Sequence, residues 1–214
     1  MRLEMPRLYV ILDAGLLREP APEIAKRLIS AGVRLLQYRA KDLRAHQTLE
    51  TARHIADLAR REQAHFFVND RPDLAYLAGA DGVHVGQDDL SVEQARAIVG
   101  QDRWVGVSTH NRQQFEQAVA TSADYVAIGP IFATTSKASP DPVVGTALLR
   151  ELRPLTKKPI VAIGGIRLEN AAGVIEAGAD SVAVISDILS ASDPAEQARR
   201  FIQRLDTAKH AANH

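Results

Sequence analysis

Two kinds of pattern alternate along the chain. The first is a short, nearly continuous apolar run. It occurs eight times: LYVIL (8–12), RLLQY (34–38), HFFVN (65–69), GVHV (82–85), WVGVS (104–108), DYVAI (124–128), PIVAI (159–163) and SVAVI (181–185). Runs of this length without polar alternation predict parallel strands covered on both faces. The second is longer, with apolar residues three and four apart. In HQTLETARHIADLARREQ (46–63), Leu49, Ala52, Ile55, Ala56 and Ala59 share one face, and Arg60 and Arg61 point away. SVEQARAIV (91–99), NRQQFEQAV (111–119) and PAEQARRFIQRL (194–205) behave alike, each predicting an amphipathic helix. Ser91 followed by Gln94 has the spacing of a capping box.

The junctions between the patterns repeat. AGADGVHV (78–85) and AGADSVAV (177–184) are near copies, and TSADYVAI (121–128) and AGVRLLQY (31–38) are weaker ones. Each reads as a helix end, a small residue and a short strand, with Gly32, Gly79 and Gly178 suited to a left-handed helix-closing position. Eight such β–α units in 214 residues predict an α/β fold, a single-domain (β/α)8 TIM barrel over residues 1–214. The rival open, doubly wound sheet normally carries a Gly-rich turn after its first strand, and LYVILDAGLL (8–17) has none. The Pro-containing stretch SKASPDPVVG (136–145) is the one long irregular segment, and the tail 208–214 is expected to fray.

Composition narrows the picture without redirecting it. Hydrophobic residues make up 46% and charged residues 24%, enough for a sizeable core in a soluble protein. Lys plus Arg equals Asp plus Glu at 26 each, so no basic excess points to nucleic acid or to an anionic membrane. No run approaches the ~18 apolar residues of a membrane span, and no secretory signal is visible, so a cytoplasmic protein is expected. There is no cysteine, hence no disulfide and no thiolate metal site. Apolar outer helix faces suit packing on the barrel or on a second copy, so a homo-oligomer is compatible with the pattern.

In a barrel the C-terminal strand ends open on one face, where sites are built. Those ends are rich in polar groups. The second carries Gln37, Tyr38, Arg39, Ala40 and Lys41; the third, Asn69 and Asp70; the fourth leads to GQDD (86–89) with Asp89; the fifth ends at Ser108. The sixth runs into Thr134, Thr135, Ser136 and Lys137, the seventh ends on Gly164–Gly165, and the eighth on Ile185 and Ser186. The opposite ends carry mainly AGAD-like turns. Asp70 and Asp89 follow neighbouring strands, and two close carboxylates repel unless a cation or a proton joins them. All-oxygen donors favour Mg2+, which takes one or two carboxylates and leaves the rest to water and substrate phosphates. Taken singly, Asp70 is as well explained as a cap of the helix beginning RPDLAYLA (71–78). Arg39, Lys41 and Lys137 suit phosphate oxygens, and glycines and hydroxyls after strands six to eight suit a second phosphate. The set predicts one substrate bearing a diphosphate and another bearing a phosphate. His84 and His110 read as pocket or packing histidines, His84 facing opposite to Val83 and Val85.

QYRAK (37–41), VND (68–70), GQDDL (86–90), GVSTH (106–110), GPIFATTSK (129–137), AIGGI (162–166) and AVIS (183–186), in this order, resemble the thiamine phosphate synthase family. The resemblance spans roughly residues 8–189 and implies a (β/α)8 transferase. Such an enzyme joins hydroxymethylpyrimidine diphosphate to thiazole phosphate and releases pyrophosphate. By position it implies that Gln37, Tyr38, Arg39, Ala40, Lys41, Asn69, Ser108 and Lys137 meet the pyrimidine diphosphate. Thr134, Thr135, Ser136, Gly165, Ile185 and Ser186 would meet the thiazole phosphate, and Asp70 and Asp89 would bind Mg2+. Arg39, Lys41, Ser108 and Lys137 are then the catalytic set. The family commonly reads Pro-Thr-x-Thr-Lys where this chain has Ala133-Thr134-Thr135-Ser136-Lys137. Serine keeps the hydroxyl, whereas the missing proline loosens a loop expected to close over the substrates. A thiazole tautomerase would need the thiazole phosphate site without both aspartates or the full QYRAK stretch. A non-catalytic phosphate-binding barrel would need no leaving-group apparatus.

Overall fold

In a computed structural model that describes residues 5–134 and 141–211, with side chains through residue 207, the eight apolar runs become eight parallel strands. They are β1 (Leu8–Asp13), β2 (Leu35–Arg39), β3 (His65–Asn69), β4 (Gly82–Val85), β5 (Trp104–Thr109), β6 (Tyr125–Ile128), β7 (Ile160–Ile163) and β8 (Ser181–Val184). Each pairs with its sequence neighbours, and β1 closes on β8 through the pairs Leu8–Val182, Tyr9–Ala183 and Val10–Val184. The fold is a closed (β/α)8 barrel, with no unpaired strand edge among the described residues.

Helices follow the strands: α1 (Ala21–Ser30), α2 (Ala45–Arg61), α3 (Pro72–Ala78), α4 (Val92–Val99) and α5 (Arg112–Val119). The second half adds α6 (Gly145–Leu152), α7 (Ala171–Glu176), α8 (Ser186–Leu189) and α9 (Pro194–Ala211). On α2 the buried stripe is Thr48, Ala52, Ile55, Ala56 and Ala59, while Leu49 is only half-buried. The Ser91–Gln94 capping box forms in both directions at the start of α4. Gly32, Gly79 and Gly178 all take positive φ where a helix turns back toward a strand. Of the tail, residues 208–211 continue α9 and residues 212–214 lie outside the described part.

Strand alternation divides the core in two. Val10, Leu36, Phe66, Val83, Val105, Val126 and Val182 face the helices. Tyr9, Ile11, Leu35, Phe67, Trp104, Tyr125, Val161 and Ala183 fill the barrel itself. The two layers explain why the strands show no polar face: both faces are buried.

The repeated AGAD turns have a specific function at the barrel floor. Asp81 donates its N–H to Phe66 O and accepts the Phe66 N–H at Oδ2, at 2.9 and 2.8 Å. Asp124 does the same with Val105, at 2.8 and 2.7 Å, and Asp180 with Ile160, at 2.9 and 2.8 Å. Each aspartate thus adds a rung below the ladder, joining β4 to β3, β6 to β5 and β8 to β7. The weak copy before β2 has Arg34 instead, which donates to Ile29 O and Val33 O.

Candidate active site

The mouth of the barrel is built from the strand ends. β3 stops at Asn69, and Asp70 follows with φ +62°, its N–H still bonded to His84 O at 2.8 Å. Aspartate tolerates this left-handed conformation better than most residues, and such local strain gathers where a side chain must be aimed. Asp70 is not a helix cap: α3 begins after Arg71 without any side-chain cap. After β4 the chain turns through GQDD, where Gly86 N–H binds Asp89 Oδ2 at 2.7 Å and Gln87 Nε2 donates to Ser108 O at 2.7 Å. Asp89 is thereby turned toward Asp70.

The two carboxyls interact directly. Burial, then the adjoining Asp89 carboxyl, push Asp70 up to about 6 from its usual 3.8, while Lys41 and Arg39 pull it down. Lys41 Nζ lies 3.6 Å from Asp70 Oδ2. Lys41, Asn69 and Asp70 line a pocket of about 230 Å3 together with Ala40, Leu43, Thr48, Arg71 and Leu74. Two carboxylates held together against their charge fit a hard dication. Among the described residues no group of three or more His, Cys, Asp or Glu converges, so a cation here would take its further ligands from water or substrate.

Arg39 is engaged as well: its Nη1 pairs with Asp13 Oδ2 at the end of β1. Asp13 is buried, and its Oδ1 also accepts the Gly15 N–H at 3.0 Å. Nothing in the sequence singled out Asp13, because its role depends on β1 lying beside β2. Gln37 points into the barrel and donates to Tyr9 Oη at 2.8 Å. Tyr38 alternates outward into the strand–helix layer, where its ring packs in the outer core. Within the Gln37–Lys41 stretch, the Tyr38 side chain thus turns away from the barrel interior. Ala40 also packs against the outer core. Ser108, on β5, bonds His84 Nε2 through Oγ at 2.8 Å.

On the far side of the mouth, Gly164 and Gly165 take φ of +97° and +62°. A Cβ on Gly165 would lie 2.4 Å from Ala133 O, so glycine here lets the segment after β6 pack on the end of β7. Ile131 N–H and Phe132 N–H bond Ile163 O and Gly164 O at 2.9 and 3.0 Å. Thr134 therefore follows a segment anchored to the end of β7, and Ile185 and Ser186 lead β8 into α8. Thr135, Ser136 and Lys137, with the expected closing movement of their loop, lie outside the described residues. His110, read from the sequence as a pocket or packing histidine, places Nδ1 2.6 Å from Gly129 O and 3.5 Å from Asp141.

Residues 8–188 match the family model for thiamine monophosphate synthase. The chain is 52% identical to a thiamine-phosphate synthase of Koribacter versatilis, over 95% of this chain and 97% of that protein. It is 45% identical to one of Chloroflexus aurantiacus, over 91% and 90%. A solved structure, a thiamine phosphate pyrophosphorylase from Pyrococcus furiosus, superposes with a TM-score of 0.86 at 31% identity, covering 94% of this chain and 96% of that one.

Proposed function

Because the chain belongs to the thiamine monophosphate synthase family, we propose that it acts as a thiamine-phosphate synthase, a transferase that joins an aminopyrimidine methyl diphosphate to a thiazole phosphate and releases pyrophosphate. The observation that carries the mechanism is the meeting of Asp70 and Asp89 beside Lys41 and Arg39 at the mouth.

The thiazole nitrogen attacks with a lone pair and has no proton to lose, so the reaction calls for no general base. The demanding event is departure of the diphosphate from a methylene carbon, which the electron-rich pyrimidine assists by sharing the developing positive charge. The side chains then have to hold negative charge as it grows. Lys41 does so as a point charge and Arg39 as a planar fork steadied by Asp13. Ser108 offers a hydroxyl. Asn69 and Gln37 orient the pyrimidine. Thr134, Gly165, Ile185 and Ser186 face the thiazole phosphate. Asp70 and Asp89 would hold Mg2+, which when bound screens the departing diphosphate. No described helix is long and apolar enough to cross a membrane.

The test is to mix the purified protein with both phosphorylated substrates, with and without Mg2+, and to assay thiamine phosphate. The Asp70→Ala variant should lose about 10²–10³ in turnover, as expected for removal of ~3–4 kcal/mol of charge stabilisation, while keeping a native circular dichroism spectrum. Near-normal turnover in that variant would remove the metal assignment, and an inactive wild type would remove the activity.

A further inference from the structure

Five side chains form one hydrogen-bonded file across the inside of the barrel. Gln37 Nε2 donates to Tyr9 Oη at 2.8 Å, and Tyr9 Oη lies 3.2 Å from Tyr125 Oη. Tyr125 Oη then lies 2.8 Å from His84 Nδ1, and His84 Nε2 lies 2.8 Å from Ser108 Oγ. The ends of the file are residues assigned above to the pyrimidine and to the diphosphate. The three in the middle have no part in the mechanism, yet all are buried. The arrangement is built in by packing: His84 and Tyr125 stack with ring centroids 5.6 Å apart, and a Cβ on Gly106 would lie 2.0 Å from the Tyr125 ring.

We propose that this file ties the orientation of the Gln37 amide to the direction of the Ser108 hydroxyl, with Tyr9, Tyr125 and His84 as positioning residues for the transfer reaction. The inference rests on the synthase reading. A hydroxyl donates one proton, and a neutral imidazole has one donor and one acceptor nitrogen. With Gln37 Nε2 donating to Tyr9, Tyr9 donates to Tyr125 and Tyr125 to His84 Nδ1. His84 Nε2–H then donates to Ser108, and the Ser108 proton is left to point into the site. Turning the Gln37 amide over reverses every bond and fixes the Ser108 proton on His84 Nε2. Only the first polarity offers a donor to an anionic oxygen. A neutral ring, with one donor and one acceptor nitrogen, is what the bonds at both of its nitrogens call for.

In that polarity Gln37 retains Oε1 and its second N–H for a ligand. Such a pair matches an edge that sets a donor beside an acceptor, as an aminopyrimidine does. Recognition of the ring at one end and readiness for the departing diphosphate at the other become a single event. Hydrogen bonds in series also polarise one another in a low dielectric, which strengthens the terminal donor.

A double-mutant cycle in steady-state kinetics tests this. Tyr125→Phe cuts the file but keeps the ring, and Ser108→Ala removes its terminal donor. Each should lower kcat about tenfold, the loss of one well-placed hydrogen bond, with KM for the pyrimidine diphosphate changed by no more than about twofold. The double variant should be no slower than the slower single one. Losses that multiply in the double variant, or a Tyr125→Phe enzyme with wild-type kcat, overturn the coupling. If Tyr125→Phe does not fold, Tyr9→Phe breaks the file one bond earlier and enters the same cycle. A wild type that forms no thiamine phosphate overturns the synthase reading and this inference with it; an active wild type with multiplying losses overturns the coupling alone.

Discussion

Asp70 and His84 give the molecule two opposed pH dependences. Asp70 titrates higher in the fold, about 6, than its usual 3.8. The folded state therefore holds more protons between those values, and stability falls as pH rises through the window. Asp70→Asn should raise the melting temperature at pH 8, by the equivalent of about 1–2 kcal/mol once solvent screening is allowed for, and leave it nearly unchanged at pH 4. The same variant should lose turnover, as expected where stability is sacrificed to aim a charge. An unaltered melting temperature at pH 8 would show that the Asp70 charge is not strained. His84 works in the other direction. Its folded value of about 4 lies below its usual 6.5, so the unfolded chain binds the extra proton. Stability is full above pH 6.5 and declines as pH falls toward 4, by up to about 3 kcal/mol. Urea titrations at pH 7 and pH 4.5 should show that acidification costs the wild type more stability than His84→Asn, the difference between the two isolating His84 from the opposing Asp70.

The strand pairs depend on their floor aspartates to different degrees. Asp124 holds Val105 N–H and also pairs with Arg96, whose side chain is only 8% exposed. Arg96 further donates to Gly100 O, Arg103 O and Ser122 O. Removing the carboxylate leaves a buried cation and a strand N–H without their partner. Asp124→Ala should therefore destabilise by about 3 kcal/mol or more. Asp180 has the same backbone role, but its pair with Arg153 is open to water, at 28% and 45% exposure. Asp180→Ala should lose only about 1–2 kcal/mol. Chemical denaturation of the two variants checks the order, and equal losses would mean that the ion pair adds nothing to the rung. Such rungs also account for the AGAD repeat: the motif recurs because the same strand-to-strand tie recurs.

Across the closed barrel, the parts of the mouth come from strands far apart in sequence but adjacent in the sheet. Ligand binding should thus stabilise the whole fold by mass action. Mg2+ with inorganic pyrophosphate should raise the melting temperature by a few degrees, at about 2–4 °C per kcal/mol for a chain of this size. Asp89→Asn should abolish the shift while leaving the unliganded fold intact. An equal shift in that variant would place the ions elsewhere.

Strand number, strand bounds to within a residue or two, the α4 capping box and the polar character of the strand ends all follow from short-range patterning. That is because apolar runs, caps and left-handed glycines are local requirements of the backbone. The approach of Asp70 to Asp89 could be anticipated, since neighbouring parallel strands present their ends side by side. Other features had no local signal. The Asp13 partner of Arg39 and the file from Gln37 to Ser108 join residues on different strands. Register, alternation and barrel closure select those contacts. A residue's chemistry belongs to the chain, but what it faces is set by the pairing of strands that the chain order alone leaves unspecified.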